Sequence, residues 1–532
     1  MAVSSAGIRD PQKRCMSNTR TIAKNTGWYS VENIVSAVVG VVTSIAIART
    51  LGPTKTGYIV YVSYVASVVG NLGSLGIPAT TRKYMAEFIG MGDKGTARLI
   101  FFRTLALQVG LASLATLAII LWIFQDASAQ FRLAAVLIAL SIWPSMVNNV
   151  PAQANSATED LATNVPGSIV SAFVYFFTIL ATVIFHWGVT GIGAALLLMR
   201  LVDFLVRLFP TLTRISAWNT TAALPDGLRK RMIAYAWQSI ATMLLALIVW
   251  ERCEVLLLKS LCADIRQVAF YSIAFTLGNY LLLGSTIFGA AASTTVFAQQ
   301  GRDKSRMPQL TAASFRYLAL TTIPLHFIAV ALAAPALLLL YGSRYAGAAM
   351  VVTIAPLLCM PKAFLAPIQS LLQSAERQGY VILATVIASI VDIGVAWALI
   401  PVHGAVGACI GNGVAQITAV GIMWAVGIRS FHVSLPWMLT AKIAAASTAA
   451  ALCAHFVAAA LPPLLGVLLG GCASVLVLLV LIYLLRVLEL EDRDRLVILT
   501  GILPRLLADP TKKLLSLLVR YERTPIQKQW AE

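Results

Sequence analysis

The sequence predicts an all-α polytopic membrane protein of about fourteen helices. Three observations carry that reading. First, the 532 residues are 59% hydrophobic and only 12% charged, with a mean hydropathy of +0.82. Soluble domains carry about 25% charged residues, and a soluble chain this apolar would have no polar surface left. Second, apolar runs recur at spanning length. About twenty residues at ~1.5 Å each make ~30 Å of helix, enough to cross a bilayer. Third, the chain repeats itself weakly at an offset near 216 residues.

The first run opens on Trp28 and Tyr29 and continues to Ala48. Arg49 follows, Gly52-Pro53 breaks the helix, and Gly57-Tyr58 opens the second run. In order, the spans fall at roughly 28–49, 57–79, 99–124, 131–152, 166–186, 190–210, 235–258, 268–296, 315–340, 349–372, 380–400, 404–426, 438–461 and 464–486. Joints as short as Pro462-Pro463 make neighbouring helices antiparallel.

Orientation follows from the basic residues. With the N-terminus inside, cytoplasmic segments hold 28 of the 40 Lys and Arg, and external loops hold six. Both termini are therefore expected in the cytoplasm. The 153–165 loop opposes this, with Glu159, Asp160 and no base. The net charge of +18 is explained by this asymmetry and not by nucleic acid. The basic N-terminus, 1–27, is followed by a run of full spanning length, so no cleavable signal peptide is expected. Seven scattered cysteines without a CxxC pair suggest neither a disulfide framework nor a metal site.

The repeat divides the chain. FHWGVTGIGAA at 185–195 matches PVHGAVGACIG at 401–411, which aligns Gly188 with Gly404 and Gly191 with Gly407. Pro144 and Pro151 answer Pro361 and Pro367, and Trp28 answers Trp237. The expectation is a six-helix N-lobe at 28–210, a cytoplasmic linker at 211–234 and a six-helix C-lobe at 235–426. Each repeat holds an even number of spans, so the two are parallel, with a central cavity between them. Two extra helices at 438–486 and an amphipathic cytoplasmic tail at 487–532 stand outside the repeat. Asp492-Arg493-Asp494 in that tail reads as a helical charge run and not as a metal-nucleotide motif.

The stretch ARTLGPTKTGYIVY, 48–61, resembles the AR-x-LGP-x-x-x-G signature near the N-terminus of bacterial polysaccharide flippases. These are the Wzx-type transporters of O-antigen and exopolysaccharide repeat units. Their superfamily also holds multidrug-and-toxin extruders and lipid II flippases. The resemblance extends more weakly over roughly residues 20 to 486. It implies a flippase that moves a polyprenyl-diphosphate-linked oligosaccharide across the bacterial inner membrane by alternating access, for lipopolysaccharide or exopolysaccharide synthesis. The implied partners are the lipid-linked oligosaccharide, membrane lipids, a polysaccharide polymerase and other assembly proteins.

The residues themselves agree on transport. There is no P-loop, and the longest outer loop has about ten residues. That is too short for the catalytic domain expected of a membrane glycosyltransferase or polymerase. No cofactor and no catalytic residue are expected. Intramembrane charges are then the functional candidates. Arg200, Asp203 and Arg207 stand at i, i+3 and i+7 on one face of span six. Arg200 is near mid-depth, and Asp203 offsets one arginine. The set either binds the diphosphate, which suits the guanidinium fork, or glues helices as a neutralised triad. Arg103 lies one turn into span three, and Arg49 lies at the outer end of span one. Each either reaches substrate or snorkels to an interface. Glu32, one turn into span one, has the same two readings, as an ion-coupling group or an interfacial one.

Glu251, Arg252 and Glu254 stand two-thirds across span seven. The resemblance implies an acidic residue there, before the Val255-Leu256-Leu257-Leu258 run; rim charge is the alternative. Lys362 on span ten and Asp392 on span eleven are both near mid-depth. They form a static pair, or Asp392 carries a proton. Counting Lys442, deep bases outnumber deep acids seven to five. Gly52, Pro53, Pro361 and Pro367 are expected hinges. The runner-up function, an organic-cation antiporter, would need an acidic, aromatic cavity instead.

Overall fold

The structure is a computed structural model that describes residues 11–126, 129–219, 224–300 and 304–488. The 492–494 string and almost all of the expected tail lie outside the described residues, as do the side chains of Trp28 and Tyr29. The described residues form helices and turns, with no strand among them.

The chain divides into two compact units, Met1–Ser272 and Ile273–Glu532. The first holds α1 (Pro11–Gly73), α2 (Ile77–Gly90), α3 (Lys94–Asp126), α4 (Ala129–Leu140), α5 (Ile142–Ala157), α6 (Val165–Ile184), α7 (Gly188–Ser216), α8 (Leu228–Val249) and α9 (Glu254–Leu261). Helix α10 (Arg266–Leu281) straddles the division. The second unit holds α11 (Leu283–Gln300), α12 (Met307–Tyr341), α13 (Ala349–Cys359), α14 (Leu365–Ser374), α15 (Gln378–His403), α16 (Ala405–Phe431), α17 (Trp437–Ala459) and α18 (Pro463–Leu484). Helices α8 and α9 belong to the first unit, with α8 packed on α2 and α9 on α1.

Among the described residues, twelve helical segments are long and apolar enough to cross a membrane. A bent pair, Arg266–Leu281 with Leu283–Gly289, makes a thirteenth span with a 46° bend. One of the twelve, Val31–Gly73, has 43 residues, ~65 Å of helix and about twice a bilayer core. Gly52 divides it. Its φ of 74° and ψ of 173° fall where essentially only glycine goes, and Pro53 suits the first turn of the helix that follows. Counting the two arms separately gives the fourteen spans that the sequence predicts. A side chain at this position is strained by ~1–3 kcal/mol. Gly52→Ala is therefore expected to lower the unfolding temperature in detergent. Gly110→Ala on α3, where a Cβ meets nothing within 4 Å, is expected to leave it unchanged.

Spans four and ten are also interrupted. Span four breaks at Ser141 between α4 and α5, and Pro144 lies three residues into α5. Span ten breaks at a 3-10 segment, Met360–Phe364, which contains Pro361, and Pro367 follows in the first turn of α14. The backbone freed there is reused: Trp424 Nε1 donates to the Phe364 carbonyl at 3.1 Å. The glycine echo has a structural counterpart in two helical hairpins, α6–α7 and α15–α16. Gly188 and Gly404 both have positive φ, 61° and 54°. A Cβ on Gly191 would stand 2.5 Å from Thr182, and one on Gly407 would stand 2.6 Å from the Leu399 carbonyl.

Candidate functional site: a polar cavity in the first unit

Three helices of the first unit carry polar residues at helical spacing. On the second arm of α1, Ser63, Ser67 and Asn71 stand at i, i+4 and i+8. Along the α4–α5 span, Ser141, Ser145 and Asn149 repeat the same S-x3-S-x3-N pattern. On α7, Leu196 and Arg200 stand one turn apart. This spacing puts each set on one helix face. All eight residues line a cavity of about 240 Å³, completed by apolar and small residues such as Gly70, Ile142 and Met146. Its polar lining is four hydroxyls, two amides and one guanidinium. Among the described residues, Arg200 is the only charged one in that lining. The Ser63 hydroxyl is buried and has no hydrogen-bond partner among the described residues.

The arginines of span six take different roles. Asp203 pairs with Arg207, Nη2 to Oδ1 at 2.8 Å, and accepts from Asn148 Nδ2 at 2.6 Å. Among the described residues no carboxylate lies within ion-pair distance of Arg200. Asp203 therefore neutralises Arg207 and leaves Arg200 to the cavity.

Arg207 also holds a network that runs down α7. Its Nη2 donates to Ser168 Oγ at 2.9 Å, and Ser168 donates to Glu32 Oε1 at 2.5 Å. Three residues past Thr211, Arg214 donates to Asn155 Oδ1 at 2.6 Å and to Asp160 Oδ2 at 2.5 Å. Thr211 also donates to Asn155, at 3.1 Å. These α7 residues share one helix face. In the 153–165 loop, Asp160 is matched by a base on α7.

The other candidates sit elsewhere. Arg49 and Arg103 are exposed on α1 and α3. Arg252, in the turn between α8 and α9, donates to Ser272 Oγ at 2.8 Å. Glu251 is exposed, whereas Glu254 is buried and accepts from the Tyr271 hydroxyl at 2.6 Å. In the second unit, Lys362 lies 6.0 Å from the Phe275 ring centroid. Asp392 is fully buried on α15, and Lys442 is half-buried on α17. None of these lines the Arg200 cavity. The serine and asparagine stripes carry no charge and so do not stand among the intramembrane charges. Their signal was present as the doubled S-x3-S-x3-N spacing inside apolar runs.

No family model matches the chain, and no curated protein matches it. Solved structures do. A lipid II flippase MurJ in an inward closed conformation is 13% identical, with a TM-score of 0.64 over 85% of this chain and 97% of that one. An inward-facing multidrug resistance MATE transporter of the MOP superfamily is 14% identical, with a TM-score of 0.62 over 75% of this chain and 94% of that one. A MOP superfamily transporter from Pyrococcus furiosus is 14% identical, with a TM-score of 0.57 over 77% and 95%. The chain is thus a multi-pass membrane protein with a fold shared by these transporters. The matched proteins are a flippase and transporters, not enzymes.

Proposed function

We propose that the chain is a flippase for a polyprenyl-diphosphate-linked oligosaccharide. It works by alternating access in the bacterial inner membrane, with both termini in the cytoplasm, and serves surface polysaccharide assembly. One observation carries the reading: among the described residues, the cavity of the first unit is lined by one guanidinium, hydroxyls and amides, and by no carboxylate. A guanidinium fork matches phosphate oxygens, and hydroxyls and amides match sugar hydroxyls. An organic-cation carrier would need the opposite charge. The fold shared with a lipid II flippase supports a lipid-linked cargo. Gly52-Pro53 and Pro361/Pro367 are the proposed bending points.

The test is complementation. The chain is expressed in a strain that lacks its own repeat-unit flippase. Surface polysaccharide is expected to return, and ethidium accumulation is expected to stay unchanged. Ethidium expulsion without polysaccharide would replace this reading with the cation antiporter.

A further inference from the structure

Asn71 reaches the cavity from the last turn of a helix. Helix α1 ends at Gly73, and Leu75 with φ 46° and Gly76 with φ 68° turn the chain into α2. The last carbonyls of a helix have no partner in the regular ladder, so such turns fray unless something holds them. Here Ser74 does so. Its N–H is shared between the Gly70 and Asn71 carbonyls, at 3.2 and 3.3 Å. Its hydroxyl donates to the Gly70 carbonyl at 2.8 Å. Gly70 and Asn71 both line the cavity.

Gln108 on α3 holds Ser74 in turn. It is fully buried and lies outside the cavity lining. Its Nε2 donates to Ser74 Oγ at 3.1 Å. The direction of that bond follows from the protons: Ser74 has one hydroxyl hydrogen and gives it to Gly70, so its oxygen accepts from Gln108. Gln108 Oε1 is left buried, without a hydrogen-bond partner among the described residues. That oxygen is a cost to the fold that an apolar side chain of similar size would not carry. Close packing of the turn does not need the amide. A Cβ on Gly73 would stand 3.3 Å from Ala115 Cβ on α3 and from Met146 Cε on α5, so small groups already bring the three helices together. Stability therefore does not explain a glutamine at 108, whereas the donated hydrogen bond does.

We infer that Gln108 is a positioning residue for the transport site: through Ser74 it fixes the turn that presents Asn71 and the Gly70 backbone to the Arg200 cavity. The bond limits rotation of the turn and so sets where the Asn71 amide stands relative to Arg200. The consequence for cargo rests on the transport reading. The placement of Asn71 is measured without any cargo.

Asn71 is exposed, so a nitroxide on Asn71→Cys, in a background without the native cysteines, reports the turn. Gln108→Leu and Ser74→Ala are each expected to make its spectrum more mobile, and the double change is expected to add nothing further. Binding is then measured with a short polyprenyl diphosphate carrying one N-acetylglucosamine. Gln108→Leu is expected to raise the dissociation constant about fivefold, with the unfolding temperature unchanged or raised. In an Asn71→Ala background it is expected to raise the constant no further, whereas in an Asn149→Ala background the fivefold effect persists. A residue that only packs would lower the unfolding temperature and act alike in both backgrounds. A nitroxide spectrum indifferent to Gln108→Leu, or an affinity loss of equal size in the two backgrounds, overturns the inference. A spectrum that responds in a chain whose parent does not bind the probe keeps Gln108 as the residue that places Asn71 and removes the flippase.

Discussion

Arg200→Ala is expected to abolish complementation while the protein reaches the membrane at the wild-type level. Among the described residues, Arg200 is the only charge in the cavity lining, and Asp203 is already paired with Arg207. Removing the guanidinium therefore strands no carboxylate, and thermal stability is expected to hold. Function is a different matter. A charge-assisted contact made away from bulk water contributes on the order of 2 kcal/mol, about thirtyfold in affinity. Arg200→Lys is expected to fail as well, because an ammonium keeps the charge but loses the fork. Ser63→Ala and Asn149→Ala each remove one neutral contact, about 1 kcal/mol or several-fold. The double change Arg200→Leu with Asp203→Leu is expected not to rescue, since it removes the cavity guanidinium and also strips Arg207 of its ion-pair partner. Normal export by Arg200→Ala, with surface polysaccharide and membrane level measured together, would take the cavity out of the transport path.

The fold was legible because the bilayer leaves few choices. Backbone polar groups in hydrocarbon must be satisfied within a segment, so runs of twenty apolar residues become helices. The breaks were legible for a local reason: Gly52 takes a conformation that other residues avoid, and Pro53 and Pro361 lack an N–H. The division of the chain was harder. The 211–234 linker reads as a boundary in sequence, yet α8 and α9 pack on α2 and α1, and tertiary packing of apolar helices leaves little periodic trace. The site was half legible. Arg200 stood out because a guanidinium at mid-depth is costly. Its surroundings did not, because serine and asparagine inside an apolar run are common and gain meaning only when two stripes face each other. Which acid meets which base was not legible at all. Asp203 is i+3 from Arg200 and i−4 from Arg207, and both spacings permit a pair. Side-chain direction and the room left by Gly167 decide for Arg207.

That choice sets the second large effect: Arg207→Ala is expected to lose folded protein. Read from spacing alone, this substitution should be milder than Arg200→Ala, because Arg207 lies closer to water. The structure gives it a different task. Arg207 and Asp203 are 11% and 13% exposed, and Arg207 also ties Ser168, which holds Glu32. One residue thus joins α1, α6 and α7, and through Asp203 and Asn148 it reaches α5. Removing one partner of a buried pair leaves an uncompensated charge and costs about 3–5 kcal/mol. Gly167→Ala attacks the same pair from outside, since its Cβ would stand 2.8 Å from Asp203 Oδ1. Both variants are expected to show a lowered unfolding temperature and a reduced membrane level. Arg207→Leu with Asp203→Leu removes both charges together and is expected to recover most of the loss, because an apolar pair of similar volume replaces a buried ion pair at little net cost. Thermal unfolding in detergent separates the two arginines. Arg200 variants are expected to keep stability and lose transport, whereas Arg207 variants lose stability first. An Arg207→Ala protein as stable as the parent would show that the α7 network does not brace the unit. Glu32, Asp203 and Arg207 would then become candidates for binding or coupling.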